Sequence, residues 1–262
     1  MNLPDSSMPL VNHLRELRKR LIISSVTVAV VFAGLWFFAR DMHEILAAPL
    51  QALLVDSDGS ALIATGIASP FLVPFKLTMV LAVLISVPVL LHQIWAFVSP
   101  GLYQHERKFA MPLLFSSIVL FYSGVAFCYF VVLPLVYGFF TGFASEGITL
   151  MPDIANHLDF TLKLIFAFGI AFEIPIATAL LVKSGAVSRE TLQQKRAYVF
   201  LTCFIIGMFI TPPDMFSQTI LAVPMYLLFE AGLIASRFLG QPPISRTPED
   251  LEESPDQTST DQ

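Results

Sequence analysis

The sequence predicts an all-α membrane protein whose six transmembrane helices form a bent, concave bundle with both termini in the cytoplasm. Three observations carry that prediction. Hydrophobic residues make up 55% of the chain and charged residues only 13%, with a mean hydropathy of +0.73, far from the balance of a soluble domain. Six apolar stretches approach the roughly twenty residues a helix needs to cross a hydrocarbon core of about 30 Å. Lys and Arg, finally, collect in alternate loops. The 24 Phe outnumber the 15 Lys and Arg together, which is more apolar surface than a soluble fold of this length buries.

Residues 1–20 read as a cytoplasmic N-terminal segment, 21–236 as the transmembrane domain and 237–262 as a cytoplasmic tail. The tail is polar, acidic and rich in Pro, Ser, Thr and Gln, so disorder is expected there. The spans fall at about 21–39, 71–97, 111–140, 160–182, 197–211 and 216–236. The first follows a basic stretch like a secretory signal, but it is too long and ends in bulky Trp36, Phe37 and Phe38, so it stays as an anchor. Between spans one and two, Met42 to Leu54 mixes apolar and polar residues at helical spacing. This predicts an amphipathic helix along the outer membrane surface, broken near Pro49, before the turn signal Asp56-Ser57-Asp58-Gly59. Pro88, Pro134, Pro175 and Pro224 lie inside spans; each frees a carbonyl and kinks its helix, which bends the bundle. The fifth span is short at about 1.5 Å per residue, so the bilayer thins there or the helix borrows flanking residues.

Orientation follows from the cations. The N-terminal segment carries Arg15, Arg18, Lys19 and Arg20; the second loop has Arg107 and Lys108; the fourth has Lys183, Arg189, Lys195 and Arg196; the tail has Arg237 and Arg246. The opposite side has Arg40, while Lys76 and Lys163 fall inside or at the edge of spans two and four. The cation-rich side is the cytoplasmic one.

No catalytic, cofactor or metal motif is present. His43-Glu44 and His105-Glu106 each begin a metalloprotease-like pair, but Ala47 and Phe109 stand where the second His would be needed. There is no phosphate-cradling glycine loop and no nucleophile elbow, and nothing points to nucleic acid. Cys128 and Cys203 lie in apolar runs and read as small buried hydrophobes, not as a disulfide. What remains are polar groups in costly places. Glu173 and Glu230 lie within spans, and two readings stand for each: a neutral carboxyl bonded to a neighbouring helix, or a polar point in a groove that receives a partner helix. Asp214 and Gln218 share one face at the start of span six, where Asp214 is equally a helix cap. Glu16 stands among four cations and can pair with Lys19 or Arg20; Glu106 is a second lone cytoplasmic acid.

These residues also carry a resemblance. The chain is similar, from about His13 to Phe238, to the TatC family, the polytopic signal-peptide receptors of twin-arginine protein translocases in the bacterial inner membrane. The likeness lies in His-Leu-x-Glu-Leu-Arg-x-Arg-Leu at 13–21, Ala68-Ser69-Pro70-Phe71, Gln93-Ile94-Trp95-Ala96-Phe97 and Leu102-Tyr103-x-His105-Glu106-Arg107. It continues in Phe172-Glu173-Ile174-Pro175, Thr211-Pro212-Pro213-Asp214-x-Phe216-Ser217-Gln218 and Pro224-Met225-Tyr226-x-Leu228-Phe229-Glu230. The resemblance implies a glove-shaped fold and binding of twin-arginine signals through Glu16 and Glu106, flanked by His13, Arg18 and Phe97. A carboxylate pairs bidentately with a guanidinium and not with an ammonium, which suits two acids to two arginines. The resemblance also implies single-span TatA and TatB partners docking near Glu173, Asp214, Gln218 and Glu230, homo-oligomers within the receptor complex, and transport driven by the proton-motive force. The alternative from a different class is an ion- or proton-coupled secondary transporter with Glu173, Lys163 and Lys76 along its path; the lack of internal repeats counts against it.

Overall fold

The computed structural model describes residues 8–54, 62–98, 107–142, 151–185, 187–211 and 214–238. Helix α1 (Met8–Leu35) carries the basic segment and the first span as one rod. A 3₁₀ turn at Trp36–Phe38 leads directly into α2 (Ala39–Leu54). Helix α3 (Ser69–Val98) crosses next. Helix α4 (Arg107–Phe127) runs through a π-helical turn at Cys128–Val132 into α5 (Leu133–Gly142). The fourth crossing is split into α6 (Ile154–Ala171) and α7 (Ile174–Lys183). Short α8 (Arg189–Gln194) then precedes α9 (Arg196–Ile210) and α10 (Met215–Phe238). Five stretches are long and apolar enough to cross a bilayer, Leu14–Phe38, Ser69–Phe97, Met111–Gly142, Ile154–Lys183 and Met215–Arg237, with α9 as the shorter sixth. Six crossings return the chain to the side on which α1 begins, called here the near end; the far end carries α2. Of the expected tail at 237–262, Arg237 and Phe238 end α10, and 239–262, like the turn at 56–59, lie outside the described residues.

Helix α6 is the centre of the packing. Leu158, Thr161, Leu164 and Phe168 are almost wholly buried, against α3, α4 and the π turn. Close approach is enabled by glycine: a Cβ on Gly124 of α4 would lie 2.6 Å from the Phe168 carbonyl oxygen and 2.8 Å from the Phe172 ring. Lipid offers no hydrophobic drive for helix association, so this backbone proximity and its dispersion energy hold α4 to α6. By contrast none of the most apolar stretch of α1 is buried. It leans on α3 through rings, with Phe32 edge-on to Phe75 at 5.5 Å and Trp36 edge-on to Phe75 at 5.8 Å.

The expected break of the surface helix near Pro49 does not occur, since α2 is continuous with Pro49 inside it. Proline removes the N–H that would bond the carbonyl four residues earlier, here that of Ile45. The hydroxyl of Tyr129, in the π turn of span three, donates to that carbonyl at 2.6 Å. The same device recurs at Pro88 in α3, where Tyr122 donates to the Leu84 carbonyl at 3.0 Å. Both freed carbonyls are satisfied from span three, so neither helix has to break. Tyr129→Phe is expected to cost about 1–3 kcal/mol, the range for stranding a bonded polar group, and to speed hydrogen exchange across α2. Unchanged exchange there would show that Tyr129 does not hold α2.

At the far end, Asp153 ties the chain segment before α3 to the start of α6. Its carboxylate accepts from the Thr65 backbone N–H at 3.1 Å, the Thr65 hydroxyl at 2.8 Å and the Asn156 N–H at 3.1 Å. The Thr65 N–H, with those other donors, holds the exposed carboxyl below its usual range. The tie is completed by a single bridge, Ile63 N–H to Pro152 carbonyl at 3.0 Å and Ile154 N–H to Ile63 carbonyl at 2.9 Å.

Candidate functional site

Two places draw the expected residues together. At the near end, Glu16 is paired with Arg20, one turn along α1; Arg20 Nε donates to Glu16 Oε1 at 3.2 Å and its Nη2 is bonded to the same oxygen. Of the two partners open to Glu16 in the sequence, the geometry selects Arg20 over Lys19. Arg20 also reaches the end of α3, donating to the Ala96 carbonyl at 2.9 Å and to Gln93 Oε1 at 3.5 Å. Through Arg20 this ties Glu16 to the last turn of α3, where Phe97 is half-buried. Arg18 is turned away from that cluster. With Arg15, Lys19, Ile22 and Ile23 it lines a separate recess of about 410 Å³ along the exposed side of α1. His13 belongs to α1 one turn before Glu16, and Glu106 lies outside the described residues.

In the membrane interior, Glu173 occupies the break between α6 and α7. The Phe172 and Glu173 N–H groups still bond back to Phe168 and Ile170 at 3.0 Å each, and Pro175 in the first turn of α7 has no N–H to continue the α6 ladder. The helix therefore restarts there, with Glu173 as its first flanking residue and no side-chain cap. The carboxyl is half-buried, and its Oε1 is buried without a hydrogen bond among the described residues. Ser117 of α4 is the polar side chain beside it, and the Ser117 hydroxyl likewise makes no bond of normal geometry.

The other three interior groups have partners within the chain. Asp214 Oδ1 accepts from the Ser217 N–H at 2.6 Å, the capping role open to it in the sequence. Gln218 donates to the Phe204 carbonyl of α9 at 2.8 Å and packs on Gly207. Glu230 accepts from Arg196 at 2.7 Å and from the Tyr226 hydroxyl at 2.9 Å. Gln218 and Glu230 thereby join α9 to α10. Among these four groups Glu173 and Asp214 each keep one buried carboxylate oxygen without a hydrogen bond among the described residues, and Glu173 is the one whose other oxygen is likewise without one, whereas Asp214 already caps α10.

Some participants were not readable beforehand. Arg20 was legible as a candidate partner of Glu16, but its reach to α3 joins residues 76 apart. Lys76 forms an ion pair with Asp159 of α6, 83 residues away, and no local pattern signals it.

Residues 12–224 match the family described as "Sec-independent protein translocase protein (TatC)". A relative so named from Azotobacter chroococcum is 54% identical over 229 residues, 87% of this chain and 89% of the relative. One from Escherichia coli K12 is 50% identical over 234 residues, covering 89% and 90%. Among solved structures, the crystal structure of a twin arginine translocase receptor TatC is 38% identical and superposes with a TM-score of 0.77, covering 87% of this chain and 99% of that one.

Proposed function

We propose, from the premise that this chain belongs to the TatC family, that it recognises the twin-arginine signal peptides of folded precursors at its near end. Membership makes it a membrane component of a Tat translocase, a translocation protein and not an enzyme, working with other Tat subunits and signal-peptide substrates. The secondary-transporter reading is not favoured, since the relatives are translocase proteins.

In the proposed mechanism the signal's two arginines meet Glu16 and Glu106, with His13 and Phe97 around them and Arg18 in the neighbouring basic recess of α1. Single-span TatA and TatB dock against the bundle near Glu173, Asp214, Gln218 and Glu230, copies of the chain assemble in the receptor complex, and the proton-motive force drives export across the bacterial inner membrane. The observation that carries this reading is the clamp at the near end, in which Arg20 links Glu16 to the Ala96 carbonyl, one residue before Phe97. It brings the N-terminal segment to the start of the loop that contains Glu106. Arg20 is also an internal stand-in for the ligand: a guanidinium already satisfies Glu16, and an incoming arginine can replace it in kind.

The test is photocrosslinking of the membrane-embedded chain to a signal peptide carrying Arg-Arg or Lys-Lys. Capture of the arginine form should exceed the lysine form by about tenfold, one charge-assisted hydrogen bond's worth. Equal capture would remove the proposal. The orientation has its own check: Ser57→Cys and Gly147→Cys should be labelled from the periplasm, and Ser188→Cys only once the inner face is opened. Labelling of position 188 from outside would reverse it.

A further inference from the structure

We propose that Lys76, Asp159 and Lys163 form a binding site for the headgroup of an anionic phospholipid, of the phosphatidylglycerol type, in the leaflet at the far end of the bundle. The site goes beyond the signal-binding reading and shares no residue with it.

Three charged side chains converge there. Lys76 of α3 is ion-paired with Asp159 of α6, and the two side chains remain 52% and 43% exposed. Lys163, also exposed, follows Asp159 by one helical turn, so it shares the same face of α6. It forms no ion pair among the described residues. The set thus holds two cations to one carboxylate, and the surplus positive charge lies on the exposed surface of α3 and α6.

Depth identifies the ligand. Counting about 1.5 Å per residue from the helix starts at Ser69 and Ile154, Asp159 lies about 7 Å, Lys76 about 10 Å and Lys163 about 13 Å in from the far end. A bilayer of about 40–45 Å, of which about 30 Å is hydrocarbon, leaves a headgroup layer of roughly 5–8 Å on each side. With the outer bilayer surface set at those two helix starts, Asp159 falls at the inner boundary of the headgroup layer, and the two lysines are close enough beneath to extend their amines up to it. That is the level of lipid phosphates. A lysine here opposes the orientation rule, since in the proposed orientation this is the side poor in cations. A bound phosphate removes the cost by giving each ammonium an anionic acceptor. Asp159 then has two functions: it holds Lys76 in place, and its remaining oxygen lone pairs can accept from a headgroup hydroxyl.

The surroundings fit the tails. Leu72 and Met79, one turn either side of Lys76, are 53% and 54% exposed, and Ile170, two turns beyond Lys163, is 62% exposed. An acyl chain running inward from a phosphate at the lysines meets this apolar surface on both helices.

The experiment is native mass spectrometry of the full-length chain in detergent, titrated with phosphatidylglycerol or phosphatidylcholine. The first phosphatidylglycerol should bind about tenfold tighter than phosphatidylcholine, the discrimination expected of a charge-assisted contact. Lys163→Gln, which breaks no internal ion pair, should reduce that preference severalfold, and K76Q/K163Q should abolish it. Asp159→Asn should leave the preference within about threefold of wild type, because the amide oxygen still accepts from Lys76 and the headgroup while the competing charge is gone; its complete loss would mean that the carboxylate, not the lysine pair, makes the site. Wild type without preference, or a double variant that keeps it, would overturn the proposal. So would a photocrosslinker at position 72 that, in membranes, captures only a second polypeptide and no lipid, because the site would then hold a partner's acidic side chain.

Discussion

Glu106→Ala is expected to weaken binding of a twin-arginine signal peptide by about ten- to hundredfold, the loss of a charge-assisted, bidentate contact to one guanidinium. Glu106→Asp should lose much less, because the charge and the fork geometry survive on a shorter stem. Glu16→Ala should act in the same direction with a smaller effect. Glu16 enters the complex already satisfied by Arg20, so part of what an incoming arginine gains there is offset by the bond it displaces. Arg20 itself would not be stranded by the change, since the Ala96 carbonyl still accepts from it. The measurement is a titration of fluorescent signal peptide against the three variants in nanodiscs. Identical affinities for wild type and Glu106→Ala would end the assignment of Glu106, and a larger loss at Glu16 than at Glu106 would show that Arg20 is not a competitor. The Lys-Lys peptide supplies the control, because it should be nearly indifferent to all three changes.

The features legible in the sequence are those that depend on local or summed properties. Hydrophobic run length is a local property, and the apolar runs 71–97 and 197–211 each lie along one helix, α3 and α9. The capping role open to Asp214 was legible for the same reason, its partner Ser217 being three residues away. Proline effects were read as local and were not. Pro49 predicts a broken helix only if nothing replaces the missing N–H, and the replacement comes from Tyr129, 84 residues distant. Pro175 behaves as its sequence suggests because the break it causes is absorbed by a new helix start. Glu230 was undecidable from the sequence alone: its neutralising partner Arg196 lies 34 residues away, across the α9–α10 contact. The charged set at Lys76, Asp159 and Lys163 was split among separate observations, because only the packing of α3 on α6 makes it one site.

Glu173→Ala is expected to leave signal-peptide binding at the near end within about twofold of wild type while lowering transport by tenfold or more, a difference of at least about 1.4 kcal/mol in the step it serves. The reasoning starts from its unmet hydrogen-bonding capacity. A carboxyl at the α6–α7 break, half-buried and with Oε1 lacking a hydrogen bond among the described residues, costs free energy in the resting chain. That cost falls when a polar group arrives from a docking helix. The position at the break adds to this, because Pro175 leaves the α6 backbone with carbonyl capacity that an incoming donor or water can use. Glu173→Gln should keep most of the activity, since an amide of nearly the same shape still donates and accepts. If transport instead required the titratable proton, Glu173→Gln would fail as badly as Glu173→Ala. Crosslinking from position 173 separates these cases from a purely structural acid. With a precursor and a proton-motive force it should capture the signal or a single-span partner, and without them capture should fall. Lipid adducts alone under every condition would mean that no helix docks at this break. A signal-binding loss equal to the transport loss would mean that Glu173 acts only by holding α6, α7 and α4 in place around Gly124.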